Sequence, residues 1–271
     1  MWPDTPYIWW STEAQSVVVC GGKNWDLDRS EDRCWRYDTC GDTWEHVATL
    51  PVEMYGGVSA RVERDTGEEE LWLVGGGNGT ASSRVLVLAY SGGNWTIEES
   101  ASLHQPRYGS CGAVLGDKIY VMGGHDEEIV ESVEVVDVER RLVITSDHWK
   151  TPHPRWGAVC LPYTGGVMMA GGMDTMFLPH SSVDILDPAS MSWTPGPQLP
   201  WPQSGGGGAV TGLGPALYSG FSLPGGYKTS VTSLAEAGAW LTWNASMETA
   251  RVSGATVSVP VDMFKKCKLK H

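Results

Sequence analysis

With 271 residues, a formal charge of −13 and 41% hydrophobic residues, the chain is long enough to bury a large core and acidic enough to repel nucleic acid and anionic lipid. No apolar run approaches the ~18 residues of a membrane span, and residues 1–15 lack the basic and apolar segments of a secretion signal. Four lysines between Lys265 and Lys270 form a basic tail too short to mark nucleic-acid binding, so the body is more acidic than the whole.

The first predicted strand, Val17–Cys20, is closed by Gly21-Gly22. The same arrangement returns at Leu71–Val74 with Gly75-Gly76, Ile119–Met122 with Gly123-Gly124, and Val167–Ala170 with Gly171-Gly172. A degenerate copy is Ala216–Ser219 with Gly220-Phe221. A period of about 50 residues built on strands signals a repeat architecture. After each glycine pair comes an alternating strand: Cys34–Asp38, Val85–Leu88, Val133–Asp137, Val183–Asp187 and Val231–Leu234. A tight turn then leads to a fourth strand bearing Trp44, Trp95, Trp193 or Trp240, with Val143 as the exception. The next unit is entered through Tyr55-Gly56, Arg107-Tyr108-Gly109, Arg155-Trp156-Gly157, Ser204-Gly205 or Arg251-Val252-Ser253-Gly254. Four short strands per unit, with no helical period between them, make each unit a propeller blade and the chain all-β.

These residues resemble the kelch repeat: a glycine pair ending strand two, a Val-x-x-x-Asp strand three, a tryptophan on strand four, and an Arg-aromatic-Gly entry. The resemblance covers roughly residues 16 to 260 and implies a kelch-like β-propeller. Five blades are expected, six if an upstream blade is missing from the N-terminus. Strand one of the first blade is expected from Gly254–Val259, so that N- and C-terminal strands close the ring and remove free sheet edges. Residues 1–15 are then an N-terminal extension, 16–260 a single propeller domain and 261–271 the basic tail. The strand-four tryptophans are expected in the blade core.

Six cysteines are available. Cys20 and Cys34 fall opposite one another on strands two and three of one blade. Cys40 and Cys267 are brought together by the expected closure, and a bridge between them would pin the shared blade. Cys111 and Cys160, on inner strands of adjacent blades, are expected to stay as buried thiols. Three of the four asparagines, Asn78, Asn94 and Asn244, sit in Asn-x-Ser/Thr acceptors for N-linked glycan. Bridges and acceptors together favour an extracellular or cell-surface protein, with the cytoplasm as the alternative.

No cofactor or metal is called for. His104, His148 and His153 fall near one rim but lack a short-range ligand spacing. No Gly-x-Ser-x-Gly elbow is present, and Gly205–Gly208 opens a strand rather than a helix. The expected catalytic set is therefore empty and an enzyme is disfavoured. In kelch proteins that bind peptides, the resemblance implies that the strand-four-to-one and strand-two-to-three loops form the docking face. Here that face carries Tyr55, Arg107, Tyr108, Arg155, Trp156 and Arg251 as candidate ligand residues, with Trp25, Met176 and Phe177 on longer loops as partner contacts. Arginines in rotated copies suit carboxylate capture. On that reading Arg155→Ala abolishes capture and moves stability by less than ~1 kcal/mol; otherwise the arginines pair with neighbouring acids or carbonyls and fix the blades.

The sequence thus points to a monomeric, non-enzymatic protein- or peptide-binding module with a ligand of acidic character. Two alternatives stand: an intracellular kelch substrate-adaptor propeller, and a sialic-acid mutarotase-like or lectin-like binder of sugar acids.

Overall fold

The computed structural model describes residues 6–11, 15–24, 27–38, 40–212, 214–218, 220–222, 226–227, 230–235 and 238–246. They form a five-bladed β-propeller in which every blade is a four-stranded antiparallel sheet. Blade one comprises Tyr7–Ser11, Ser16–Cys20, Arg33–Asp38 and Thr43–Thr49. Blade two comprises Val58–Glu63, Glu69–Val74, Arg84–Ser91 and Asn94–Ser102. Blade three is built from Cys111–Leu115, Lys118–Met122, Ser132–Asp137 and Leu142–Lys150. Blade four uses Val159–Tyr163, Gly166–Ala170, Val183–Asp187 and Ser192–Pro195. Blade five uses Gly207–Thr211, Gly214–Tyr218, Ser230–Leu234 and Trp240–Ser246.

The start of the ring differs from the sequence expectation. Strand one of blade one is Tyr7–Ser11, paired residue for residue with Ser16–Cys20, so residues 7–11 belong to the propeller and not to an extension. The proposed partner Gly254–Val259 lies outside the described residues, and the place reserved for it is filled. The physical reason is the content of the local segment. Tyr7 and Trp9 alternate along it and are both 1% exposed, facing blade two. The Tyr7 hydroxyl donates to the Gly75 carbonyl at 2.8 Å, and burial pushes its phenol well above the ordinary range, so it remains a neutral donor.

Burial falls from the second strand outward. Strand two is buried throughout in blades two and four, because it is flanked by strands and covered by blades on both faces. Strand four is the outer edge and alternates between exposed and half-buried positions. The strand-four tryptophans are consequently only partly covered: Trp95, Trp193 and Trp240 pack onto interblade clusters, and Trp44 is 37% exposed. Among the described residues, the fully buried indoles are Trp9 and Trp72, on strands one and two. Among the described residues, four hydrophobic clusters fill interfaces between successive blades.

Cys20 and Cys34 form the expected disulfide between paired strands. Cys111 and Cys160 are corrected: they are bridged across the interface of blades three and four. Cys40 is disulfide-bonded, and its expected partner Cys267 lies outside the described residues.

Candidate functional site

The glycine pairs explain how each blade meets the next. The second glycine donates its N–H to a carbonyl at the following blade's entry: Gly22 to Met54 at 2.9 Å, Gly76 to Arg107 at 2.8 Å, Gly124 to Arg155 at 3.1 Å and Gly172 to Gln203 at 2.8 Å. A Cβ on the first glycine of the pair would come within 2.3 Å of the Met54 carbonyl oxygen or the Arg155 one, which no side chain tolerates. The entries form a second chain of contacts around the mouth. Gly109 donates to the Gly56 carbonyl at 2.6 Å, Gly157 to Gly109 at 2.7 Å and Gly205 to Gly157 at 2.9 Å. All four adopt φ between 63° and 68°, a region open to glycine at little cost.

This geometry decides the fate of the arginines. Arg107 and Arg155 are each 0% exposed. Arg107 donates to Glu134 Oε1 at 2.5 Å, to the Ser132 carbonyl at 3.0 Å and hydroxyl at 2.8 Å, and to the Gly123 carbonyl at 3.2 Å. Arg155 donates to Asp184 at 2.6 Å, to the Met169 carbonyl at 3.1 Å and to the Ser182 hydroxyl. Burial draws both guanidinium groups below their usual range, and the facing carboxylate opposes that shift. The backbone N–H groups of His104 and Gln105 also bond Glu134. Both arginines are closed off from solvent, and each fixes its blade entry to strand three. The anion-ring expectation is corrected for these two, and Arg251 lies outside the described residues.

The neighbouring aromatics behave differently. Tyr55, Tyr108 and Trp156 line a cavity of about 440 Å³ at the channel, together with Ile8, Cys111, Cys160 and the Gly206–Gly208 backbone. Each follows a buried residue, and strand alternation turns it to the other side. From Tyr108 an arc of rings runs outward: Tyr108 to His125 at 5.4 Å, His125 to Trp156 at 6.4 Å, Trp156 to Phe177 at 6.1 Å between centroids. It ends on the blade-four loop, where Met176, Phe177 and Leu178 are 70%, 64% and 46% exposed. Asp174 holds this loop by accepting the N–H groups of Met176 at 2.8 Å and Leu178 at 3.0 Å. Those two donors, Leu178 foremost, keep its carboxyl below the usual range. Phe177 sits at φ 59°, an uncommon conformation for a bulky side chain. Thus Met176 and Phe177, singled out from sequence, are presented beside Trp156, while Trp25 lies outside the described residues. Leu178 and His125 were missed; both fall on the loops the repeat had already marked.

Asn94 is exposed beside the Gly92-Gly93 turn. Asn78 is engaged instead, accepting from Ser30 at 2.8 Å and donating to Glu53 at 3.0 Å. The Asn244 side chain lies outside the described residues. Among the described residues no group of three or more His, Cys, Asp or Glu is placed to hold a metal ion.

Comparison with known proteins agrees with the repeat. The Kelch motif model matches residues 15–51 and 106–151. Two F-box/kelch-repeat proteins of Arabidopsis thaliana are similar: one is 31% identical over 134 residues, covering 45% of this chain and 34% of its own length. The other is 29% identical over 174 residues, covering 58% and 40%. Human Kelch repeat and BTB domain-containing protein 13 is 28% identical over 193 residues, covering 66% of this chain and 38% of its own. The matched regions span less than half the length of any of these relatives. Glycine pairs, blade order and motif match together support a five-bladed propeller built on kelch-type repeats.

Proposed function

We propose that this propeller is a protein-binding module whose partner docks on the face bearing Tyr55, Tyr108, Trp156 and the Asp174–Leu178 loop. One observation carries the reading: an exposed apolar trio, Met176-Phe177-Leu178, is held in a fixed turn, with Phe177 edge-on to Trp156. Large apolar side chains on an ordered loop mark an interaction surface more often than chance exposure. The sugar-acid reading loses its support, since Arg107 and Arg155 are occupied by Glu134 and Asp184.

An oxidising compartment is part of the proposal. It is supported by the Cys20–Cys34 and Cys111–Cys160 bridges and by the exposed Asn94 acceptor. The second reading is an intracellular adaptor, favoured by relatives whose names pair kelch repeats with an F-box or a BTB domain. Alkylation of protein from its native source separates the two: protected cysteines support secretion, and six reactive thiols support the adaptor.

Selection of a random linear peptide library on the immobilised protein tests the docking face. Selected peptides are expected to lose roughly thirtyfold in affinity for Phe177→Ala, the scale of a hot-spot residue. The unfolding midpoint of that variant should not move, because Phe177 is exposed. Leu142→Ala, on the outer strand of blade three, should bind as the wild type does. Equal binding by Phe177→Ala would remove this loop from the site.

A further inference from the structure

We infer that the docked partner is a basic segment with an apolar anchor, the anchor seated on Trp156 and Phe177 and the cations lodged in an acidic groove on blade three. This rests on the docking face just described and reverses the charge expected of its ligand from the arginine pattern.

The groove is built by the sheet. In blade three, Ser132 pairs with Lys150 and Glu134 with Thr145, so one residue on strand three faces four on strand four, Ser146–Trp149. The excess bows strand four away and opens a groove of about 950 Å³. Its walls carry Asp126, Glu127, Glu128, Glu131 and Asp147, with Trp149 among the lining residues. The cations on it are few. Lys150 is paired with Glu131, and His104 leans on Glu134, which Arg107 already neutralises. Among the described residues, Asp126, Glu127, Glu128 and Asp147 belong to no ion pair. Such a wall attracts a cation, and Trp149 suits the aliphatic stem and the charge of Lys or Arg.

The groove adjoins the apolar patch. Asp126 follows His125, whose ring meets Trp156, which in turn meets Phe177. The first acidic residue of the groove thus lies one position from a ring that meets the anchor site. The fitting segment therefore carries an aromatic or aliphatic residue with Lys or Arg within a few positions of it. An acidic segment would meet like charge.

The random peptide library reads this directly. Selected sequences are expected to be enriched in Lys and Arg at that spacing, to bind more weakly as salt rises, and to lose roughly tenfold in affinity for Asp126→Asn/Glu127→Gln/Glu128→Gln. Circular dichroism and unfolding of the triple variant should match the wild type. Peptides that lose Phe177→Ala yet lack basic enrichment and bind the triple variant within about twofold would overturn the basic partner and leave the docking face standing. Peptides indifferent to Phe177→Ala, or no selected peptide at all, would overturn both.

Discussion

Arg107→Ala is expected to destabilise the protein by roughly 3–5 kcal/mol, because it strands the Glu134 carboxylate at 1% exposure without its cation. Losing the bonds to the Ser132 and Gly123 carbonyls adds to the effect. The chain contains its own design for the repair. In blade two, Met54 stands where Arg107 stands in blade three, and Leu86 stands where Glu134 does. Both are buried in one hydrophobic cluster. The double variant Arg107→Met/Glu134→Leu should therefore recover most of the loss, since a buried ion pair is often no better than apolar residues of similar volume. Urea unfolding of wild type, both single variants and the double variant gives the coupling. A midpoint unmoved in Arg107→Ala would show that the pair is not desolvated, and the group would return to the list of ligand residues.

Removing the interblade bridge is the second large effect. Cys111 and Cys160 enclose a loop of 49 residues, for which the chain-entropy model gives about 4 kcal/mol. Cys111→Ala/Cys160→Ala should lose about that much under non-reducing conditions. The neighbouring interfaces show what replaces a disulfide here. A Cβ on Gly112 would come 2.8 Å from the Val58 side chain, and one on Gly208 would come 2.7 Å from Val159. At blades two and three, and at four and five, a valine enters a space that a glycine leaves open. Cys111→Val/Cys160→Gly copies that arrangement and should unfold at a higher denaturant concentration than the alanine pair. Equal midpoints for wild type and the alanine pair would mean that the bridge contributes nothing to holding the two blades together.

The repeat made the architecture legible because its glycine pairs answer a backbone contact that recurs at every blade junction. The same regularity misled at three places. Repeated arginines looked like rotated copies of one binding site, yet each is matched by an acid on strand three of its blade: Arg107 with Glu134, Arg155 with Asp184. The clue was present in the exceptions, since Met54 goes with Leu86, and Gln203 with Thr232, at the same two positions. Cys111 and Cys160 read as buried thiols, but their spacing exceeds by one residue the 48 between Gly123 and Gly171. In strands that single step turns a side chain to the opposite face, so the two cysteines point at each other across the interface. The first strand was overlooked because Tyr7–Ser11 carries no glycine pair or entry motif, only alternation. The blade-three groove was out of reach for another reason: a bulge depends on pairing register, which no local pattern in Leu142–Lys150 reveals.

Backbone hydrogen exchange of the protein with and without a selected peptide tests the docking face most directly. Exchange is expected to slow in the Asp174–Leu178 loop and in the His125–Ile129 hairpin, with the turns joining strands three and four unchanged. Protection confined to those turns, such as the one between Asp137 and Leu142, would place the partner on the opposite face and contradict it.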